Sequence, residues 1–332
     1  MIPYPWFEEA AARLSTHIIE TPLDYDPRLD LYLKWENRQL TGSFKARGAL
    51  NKVLAMQPWE RERGLVAASA GNHGQALALA GNLVKAPVII FVSEKAVPIK
   101  IEAIRNLGAE VHLVSGGYGE AENAGLAYAE EQSATWVSPY NDGLVIAGQG
   151  TIGLEILRQL AKSSPDPVSD LTWVIPVGGG GLCAGIAGAL YGNDLPKPWS
   201  HRLVGVQSEA SPFFHAIYHQ GTQAGQIELP SLADGLAGPV EEGSVTIPIL
   251  RRYLDDLVLV SEDDIQAAIV YSWRHYHERI EGSAAAGLAA VLTERIYARP
   301  ALVVISGGNI QPELHAHLCA KHTSDATPEG YI

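Results

Sequence analysis

The order of apolar runs constrains this chain more than any other feature. β-branched runs alternate with helix-like stretches through "GLVAASA", "GNHGQALALAGNLV", "PVIIFVS", "PIKIEAIRNLG" and "EVHLVS". Strand, helix, strand, helix, strand predicts βαβ units, because parallel strands need crossover connections. A second series opens at "LTWVIPVGGGG", continues through "LCAGIAGALYG" and "RLVGVQSE", and closes at "ALVVISGGN". Two such series in 332 residues point to two α/β units. "AKSSPDPVSD", residues 161–170, is polar and proline-punctuated and reads as a surface loop before the second series. The end, "KHTSDATPEGYI", reads as polar and frayed.

Charge narrows the partners. A formal net charge of −13 repels nucleic acid and anionic lipid, so a small molecule is the expected ligand. The apolar runs, such as "APVIIFV", are too short to span a bilayer, and "MIPYPWFEEAAARL" lacks the basic and apolar regions of a signal peptide. Cys183 and Cys319 are the two cysteines, too few for a disulfide framework. No metal-finger spacing occurs either. The expectation is a cytoplasmic protein.

Three strand-to-helix junctions carry small residues. "VIPVGGGGLCAGIAGAL" sets four glycines between an apolar run and a small-residue helix, so that backbone amides and a helix N-terminus converge on one point. That arrangement suits a phosphate, and equally a tight turn with no ligand. Neither a dinucleotide fingerprint with its ribose-binding acid nor a Walker lysine accompanies it. "ASAGNHGQA" brings Ser69 and Asn72 to a helix start, which suits a carboxylate, or simply a capped turn. "VVISGGN" puts Ser306 at a strand's C-terminal end, where open α/β sheets bind ligands. A lone lysine, Lys45, sits in "TGSFKARG" between glycines and directly after Phe44.

Taken together, "ENRQLTGSFKARGA", "SAGNHGQA", "VIAGQGT", "PVGGGGL" and "SGGN" occur in the order and approximate spacing of the fold type II pyridoxal-phosphate enzymes. The chain resembles the threonine/serine dehydratase and serine racemase group of that family, from about Thr21 to Asn309. The resemblance implies an α/β fold of two doubly wound domains with mainly parallel sheets and a site in the cleft between them. Residues 1–48 and 143–332 would form the large, cofactor-binding domain and 49–142 the small one. Lys45 would form the Schiff base with pyridoxal 5'-phosphate, and Phe44 would pack beside the ring. Asn72 would meet the ring hydroxyl. Gly178, Gly179, Gly180, Gly181 and Leu182 would hold the phosphate, and Ser306 would face the ring nitrogen. Ser69, Ala70, Gly71, Asn72 and His73 would wrap a substrate carboxylate. The implied activity is elimination of the β-hydroxyl from an amino acid such as L-threonine or L-serine, giving a 2-oxo acid and ammonia. The implied assembly is a homodimer.

Two positions depart from the group's pattern. Racemases of this group carry a serine where this chain has Ala70, so a second proton donor is missing. Relatives that bind a divalent cation use a glutamate and an aspartate; here Glu209 is present, but His215 stands in the aspartate's place, so no metal site is expected. Glu281, in "IEGSAAAG", resembles a family glutamate near the site, and also suits a helix cap. The histidine pairs in "RHYHERIE" and "ELHAHLC" are spaced to point apart on a helix, so ordinary surface positions are expected. Few residues follow Asn309, so a C-terminal regulatory domain is not expected. A β-replacement synthase, a serine racemase, a dehydratase for another hydroxyamino acid, a cofactor-binding sensor and a nicotinamide dehydrogenase are the competing readings.

Overall fold

A computed structural model describes residues 1–163, 170–192 and 200–324. The chain opens with α1 (Tyr4–Leu14), with Pro5 in its first turn, where a missing N–H leaves no bond unmade. Next come β1 (Leu23–Asp26), β2 (Leu31–Trp35), α2 (Lys45–Ala55) and α3 (Pro58–Glu62). The first predicted series follows as β3 (Leu65–Ala68), α4 (Asn72–Val84), β4 (Val88–Ser93), α5 (Pro98–Asn106), β5 (Glu110–Val114), α6 (Tyr118–Glu131) and β6 (Thr135–Trp136). After α7 (Gly143–Ser163) the second series runs through β7 (Thr172–Pro176), α8 (Gly181–Tyr191), β8 (Arg202–Ser208) and α9 (Phe213–Gln220). It ends with α10 (Thr246–Tyr253), β9 (Asp256–Val260), α11 (Glu262–Tyr276), α12 (Gly282–Leu292), β10 (Ala301–Ile305) and α13 (Pro312–Ser324).

Two sheets result. One has the strand order β5-β4-β3-β6, with every pairing parallel. The other has the order β1-β2-β10-β7-β8-β9, parallel except for the β1–β2 pair. β3, β7 and β10 are buried along their whole length, as expected of strands covered on both faces. No helix among the described residues is long and apolar enough to cross a membrane.

The pairing of β2 with β10 positions the site. Trp35 lies opposite Ile305, so the segment leaving β2 runs beside the loop leaving β10. There the Phe44 N–H donates to the Ser306 carbonyl at 3.1 Å and the Gly308 N–H to the Gly42 carbonyl at 2.9 Å. Lys45, the first residue of α2, is thereby stitched to the strand end that carries Ser306.

The "VIAGQGT" stretch lies inside α7, where α7 crosses both α2 and α8 at glycines. A Cβ on Gly48 would lie 2.2 Å from Gln149 Nε2, and one on Gly148 2.6 Å from the Arg47 carbonyl oxygen. On the α8 side, a Cβ on Gly150 would lie 2.6 Å from the Gly185 carbonyl oxygen, and one on Gly185 2.5 Å from that of Ile146. The helices touch backbone to backbone at Gly148, Gly150 and Gly185, while Gly48 makes room for the Gln149 side chain. The Gln149 side-chain oxygen also accepts the Gly48 N–H at 3.1 Å.

Beside the crossing lies a buried ionic cluster. The Arg47 guanidinium grips Glu36 through Nε and Nη2 at 2.8 and 2.7 Å and Glu155 through Nη1 at 2.9 Å. Lys34 donates to Glu155 and, at 2.8 Å, to the Thr21 carbonyl. Two cations face two carboxylates, so the cluster is neutral. Burial works against the Glu155 charge, but Arg47 and Lys34 outweigh it and hold the carboxyl below its ordinary range.

Three expectations are corrected. Residues 161–163 continue α7 rather than open a loop, and 164–169 of that stretch lie outside the described residues. Lys321–Ser324 of the tail belong to α13, whose first turns pack on α11, and 325–332 lie outside the described residues. His315 is buried rather than on the surface, because α13 lays it against the Trp273 ring, edge to face, at 5.2 Å between centroids. Its neighbour His317 is exposed. His277 has left α11 in a left-handed conformation, φ 58°, so the helical geometry does not apply to it.

Candidate active site

Lys45 lies where the two sheets' strand ends meet. Its ammonium donates to the Pro139 carbonyl at 2.9 Å and sits 5.2 Å from the centre of the Phe44 ring. Burial lowers its pKa to about 8, against a smaller upward pull from the Glu281 carboxylate. An amine so placed is neutral in a useful fraction of molecules near neutral pH, which an ordinary lysine is not.

The glycine loop leads from β7 into α8. The N–H groups of Gly178, Gly179, Gly180, Gly181 and Leu182 have no acceptor among the described residues. Five such donors at the N-terminus of a helix make a set suited to an anion. Gly180 holds φ +87°, which turns the chain into α8 and strains any side chain. A Cβ on Gly179 would lie 2.5 Å from the Tyr140 ring, and one on Gly178 3.0 Å from the Leu236 Cα. A phosphate's three oxygens fit this donor set and a bulky side chain anywhere in it does not.

The loop after β3 holds Ser69, Ala70 and Gly71, and α4 begins at Asn72. Ser69 does not cap that helix; its Oγ accepts the Gly71 N–H at 3.1 Å and shapes the turn. The amides of Ala70, Asn72 and His73 have no acceptor among the described residues. These donors suit a carboxylate. His73 is buried, and its Nε2–H donates to the Val137 carbonyl at 2.8 Å, which leaves Nδ1 as a bare, buried acceptor. Burial, and then the nearby Lys45 charge, push its pKa down to about 3, so the ring stays neutral.

Asn72 bridges the two sheets. Its Nδ2 donates to Glu281 Oε1 at 2.7 Å, and its Oδ1 accepts from Asn309 Nδ2 at 2.7 Å. The Asn309 Nδ2 also donates to the Thr41 carbonyl at 2.8 Å. Glu281 precedes α12 without capping it through its side chain; instead it accepts both Asn72 and the Asn309 N–H, at 3.2 Å. Burial, and then the charge of Asp234, raise its pKa to about 7. Ser306 is 3 % exposed and its Oγ makes no hydrogen bond among the described residues.

The residues expected to hold cofactor and substrate thus fall at one meeting of strand ends, and Glu209 and His215 do not. Glu209 pairs with Arg295 at 3.7 Å, and the His215 ring packs against His219 at 4.3 Å between centroids. Sequence reasoning missed Pro139, Tyr140 and the contacts of Asn309. Of these, only Asn309 was inside a motif, "SGGN".

Comparison with known proteins agrees with this geometry. Residues 14–307 match the family described as pyridoxal-phosphate dependent enzyme. The L-threonine ammonia-lyase of Thermotoga maritima is 41 % identical over 318 residues, which cover 93 % of this chain and 76 % of that protein. The catabolic L-threonine dehydratase TdcB of Escherichia coli K12 is 35 % identical over 312 residues, 91 % of each chain. Among solved structures, maize serine racemase superposes with a TM-score of 0.84 at 28 % identity, covering 97 % of this chain and 98 % of that one. Family match, relatives and fold converge with the lysine and its anion site, and this chain belongs to the pyridoxal-phosphate dependent enzymes of fold type II, with pyridoxal 5'-phosphate as its cofactor.

Proposed function

We propose that the protein is an ammonia-lyase that removes the β-hydroxyl and the amino group from a β-hydroxy amino acid, L-threonine or L-serine first. The observation that carries this reading is the half-buried Lys45 amine, pKa about 8, at one meeting of strand ends with two separate sets of backbone N–H groups that have no acceptor among the described residues. The set at 178–182 would take the cofactor phosphate and the set at 70–73 the substrate carboxylate. The names of the threonine ammonia-lyase and threonine dehydratase relatives support the substrate class.

Bound there, pyridoxal phosphate supplies an electron sink that weakens the substrate's Cα–H bond. Lys45 would anchor the cofactor and, once released from it, take the Cα proton on Nζ. Phe44 would cover the ring. Asn72 keeps one Nδ2 hydrogen beyond the one given to Glu281, which can meet the ring hydroxyl. Ser306 would offer the ring nitrogen a hydroxyl rather than a carboxylate, a weaker stabiliser of positive charge that favours quick loss of the leaving group. Ser69, Ala70, Gly71 and the Asn72 and His73 amides would hold the carboxylate with the Cα–H turned toward Lys45. The substrate loses water across Cα and Cβ and regains it as ammonia leaves, so the net products are a 2-oxo acid and ammonia. Ala70 offers no proton on the other face, which weighs against racemisation.

We take 1–48 and 143–332 as the large domain and 49–142 as the small one. The four-stranded sheet, β3 to β6, falling wholly within 65–136 supports that division. The free thiols Cys183 and Cys319 support a cytoplasmic setting, and a homodimer belongs to the same reading on family resemblance. The test is 2-oxo acid release over a panel of β-hydroxy amino acids. Turnover of L-threonine or L-serine is expected; a chain that binds the cofactor and turns over none of the panel is a binding protein instead.

A further inference from the structure

Glu241 lies in the loop between the turn at Asp234–Leu236 and α10, far in sequence from the glycine loop. Its backbone N–H donates to the Tyr140 hydroxyl at 2.9 Å. Its carboxylate accepts from Asn141 Nδ2 at 2.6 Å and from Ser138 Oγ at 3.4 Å. Asn141 returns the grip, its Oδ1 accepting the Val245 N–H at 3.0 Å. One residue further, Thr246 Oγ1 donates to the Gly179 carbonyl at 2.8 Å. The 241–246 loop is therefore fastened at four points to residues 138–141 and at a fifth to the glycine loop itself.

Tyr140 is what these bonds hold. Its ring stands where a Cβ on Gly179 would lie, 2.5 Å away, and its own Cβ is 2.8 Å from the equivalent position on Gly181. Tyr140 is the wall against which the Gly179 and Gly181 backbone is laid. The preceding residue, Pro139, supplies the carbonyl that holds Lys45 at 2.9 Å.

We propose that Glu241 is a positioning residue for the cofactor phosphate, holding Tyr140 and the 138–141 segment so that the glycine-loop amides converge on the anion. It acts through Tyr140 and Asn141 and touches no reacting atom. Without its carboxylate, Asn141 Nδ2 loses its acceptor and the loop loses one of its two ties through that side chain. The five amides then keep their chemistry but not their common focus. The inference rests on the reading that 178–182 is the phosphate cradle.

The experiment uses the full-length chain freed of cofactor and two probes, pyridoxal phosphate and pyridoxal, which differ only in the phosphate. Dissociation constants come from absorbance titration of the parent, Glu241→Ala and Glu241→Gln. Glu241→Ala is expected to weaken pyridoxal phosphate about tenfold, the scale of one charge-assisted hydrogen bond, and to leave pyridoxal unchanged. Glu241→Gln keeps an amide oxygen for Asn141 Nδ2 and turns its NH2 toward the Ser138 hydroxyl, which can accept, so it should bind within about twofold of the parent. If Glu241→Ala keeps the parent's preference for the phosphorylated probe, or weakens both probes equally, the inference fails while the cradle reading stands. If the parent binds both probes alike, the cradle reading fails and takes the inference with it.

Discussion

Asn72 Nδ2 and Glu281 Oε1 are 2.7 Å apart, so the first residue of α4, on the four-stranded sheet, is tied to the residue that precedes α12, on the six-stranded one. The acid in this pair carries a pKa raised to about 7, from burial first and Asp234 second. A carboxyl whose folded pKa exceeds its unfolded value stabilises the fold fully below the unfolded pKa and gives that up as pH rises through the folded one. The cofactor-free protein should therefore lose stability between its ordinary carboxyl range and about pH 7 on account of Glu281. Glu281→Gln should flatten that part of the curve, by about 1–3 kcal/mol. Urea midpoints at pH 5 and pH 8 measure it, and equal slopes in parent and variant would remove Glu281 as the cause.

Lys45 leads to a kinetic expectation with its own pH signature. Because its pKa is lowered to about 8, attachment of added pyridoxal phosphate to the cofactor-free chain should quicken as pH rises toward 8 and level off above it. Growth of visible absorbance gives the rate. A rate still climbing through the ordinary lysine range would mean that burial does not act on this amine as described. Lys45→Ala should show no covalent attachment and no turnover, while keeping weaker binding through the glycine loop; normal turnover in that variant would sink the proposed mechanism.

The methyl of Ala70 makes a stereochemical prediction. On the proposed reading the parent releases 2-oxo acid far faster than it forms D-serine from L-serine. Ala70→Ser supplies a hydroxyl on the face away from Lys45 and should raise racemisation relative to elimination. Chiral chromatography beside oxo-acid release decides the matter. A parent that makes D-serine as fast as pyruvate would mean a second proton donor exists elsewhere.

Arg47 holds Glu36 and Glu155 in a cluster where all three side chains are nearly inaccessible to water. Arg47→Met leaves two buried carboxylates facing Lys34 alone. A loss of about 3–5 kcal/mol is expected, since breaking a buried pair strands a charge. Denaturant unfolding measures it; a loss below about 1 kcal/mol would mean that the acids find water or a proton at little cost.

Much of the fold was legible because parallel strands buried on both faces read as unbroken apolar runs, and β3, β7 and β10 are of that kind. β6 was not, having two residues, and neither was the β1–β2 pair, where Pro27 interrupts the alternation. The length of α7 was hidden by its glycines, which look like loop punctuation until the helices that cross them are known. In the site, Lys45, Ser306 and the glycine loop stood out as local patterns. Tyr140 and Glu241 did not: they meet across 101 residues of chain, and neither sits in any period or spacing that would announce the contact.

The crossing of α2, α7 and α8 has a mechanical reading. Lys45 begins α2 and Gly181 begins α8, and both helices are clamped to α7 where Gly48, Gly148, Gly150 and Gly185 leave no room for even one methyl. The span between the lysine and the glycine loop is then a machined dimension, set by backbone thickness instead of by side chains that can change rotamer. The loop at 69–73 hangs from the other sheet, held to this assembly through Asn72. A rigid gauge at one end and a pinned jaw at the other would let this molecule grip amino acids of differing bulk without ever re-measuring its cofactor.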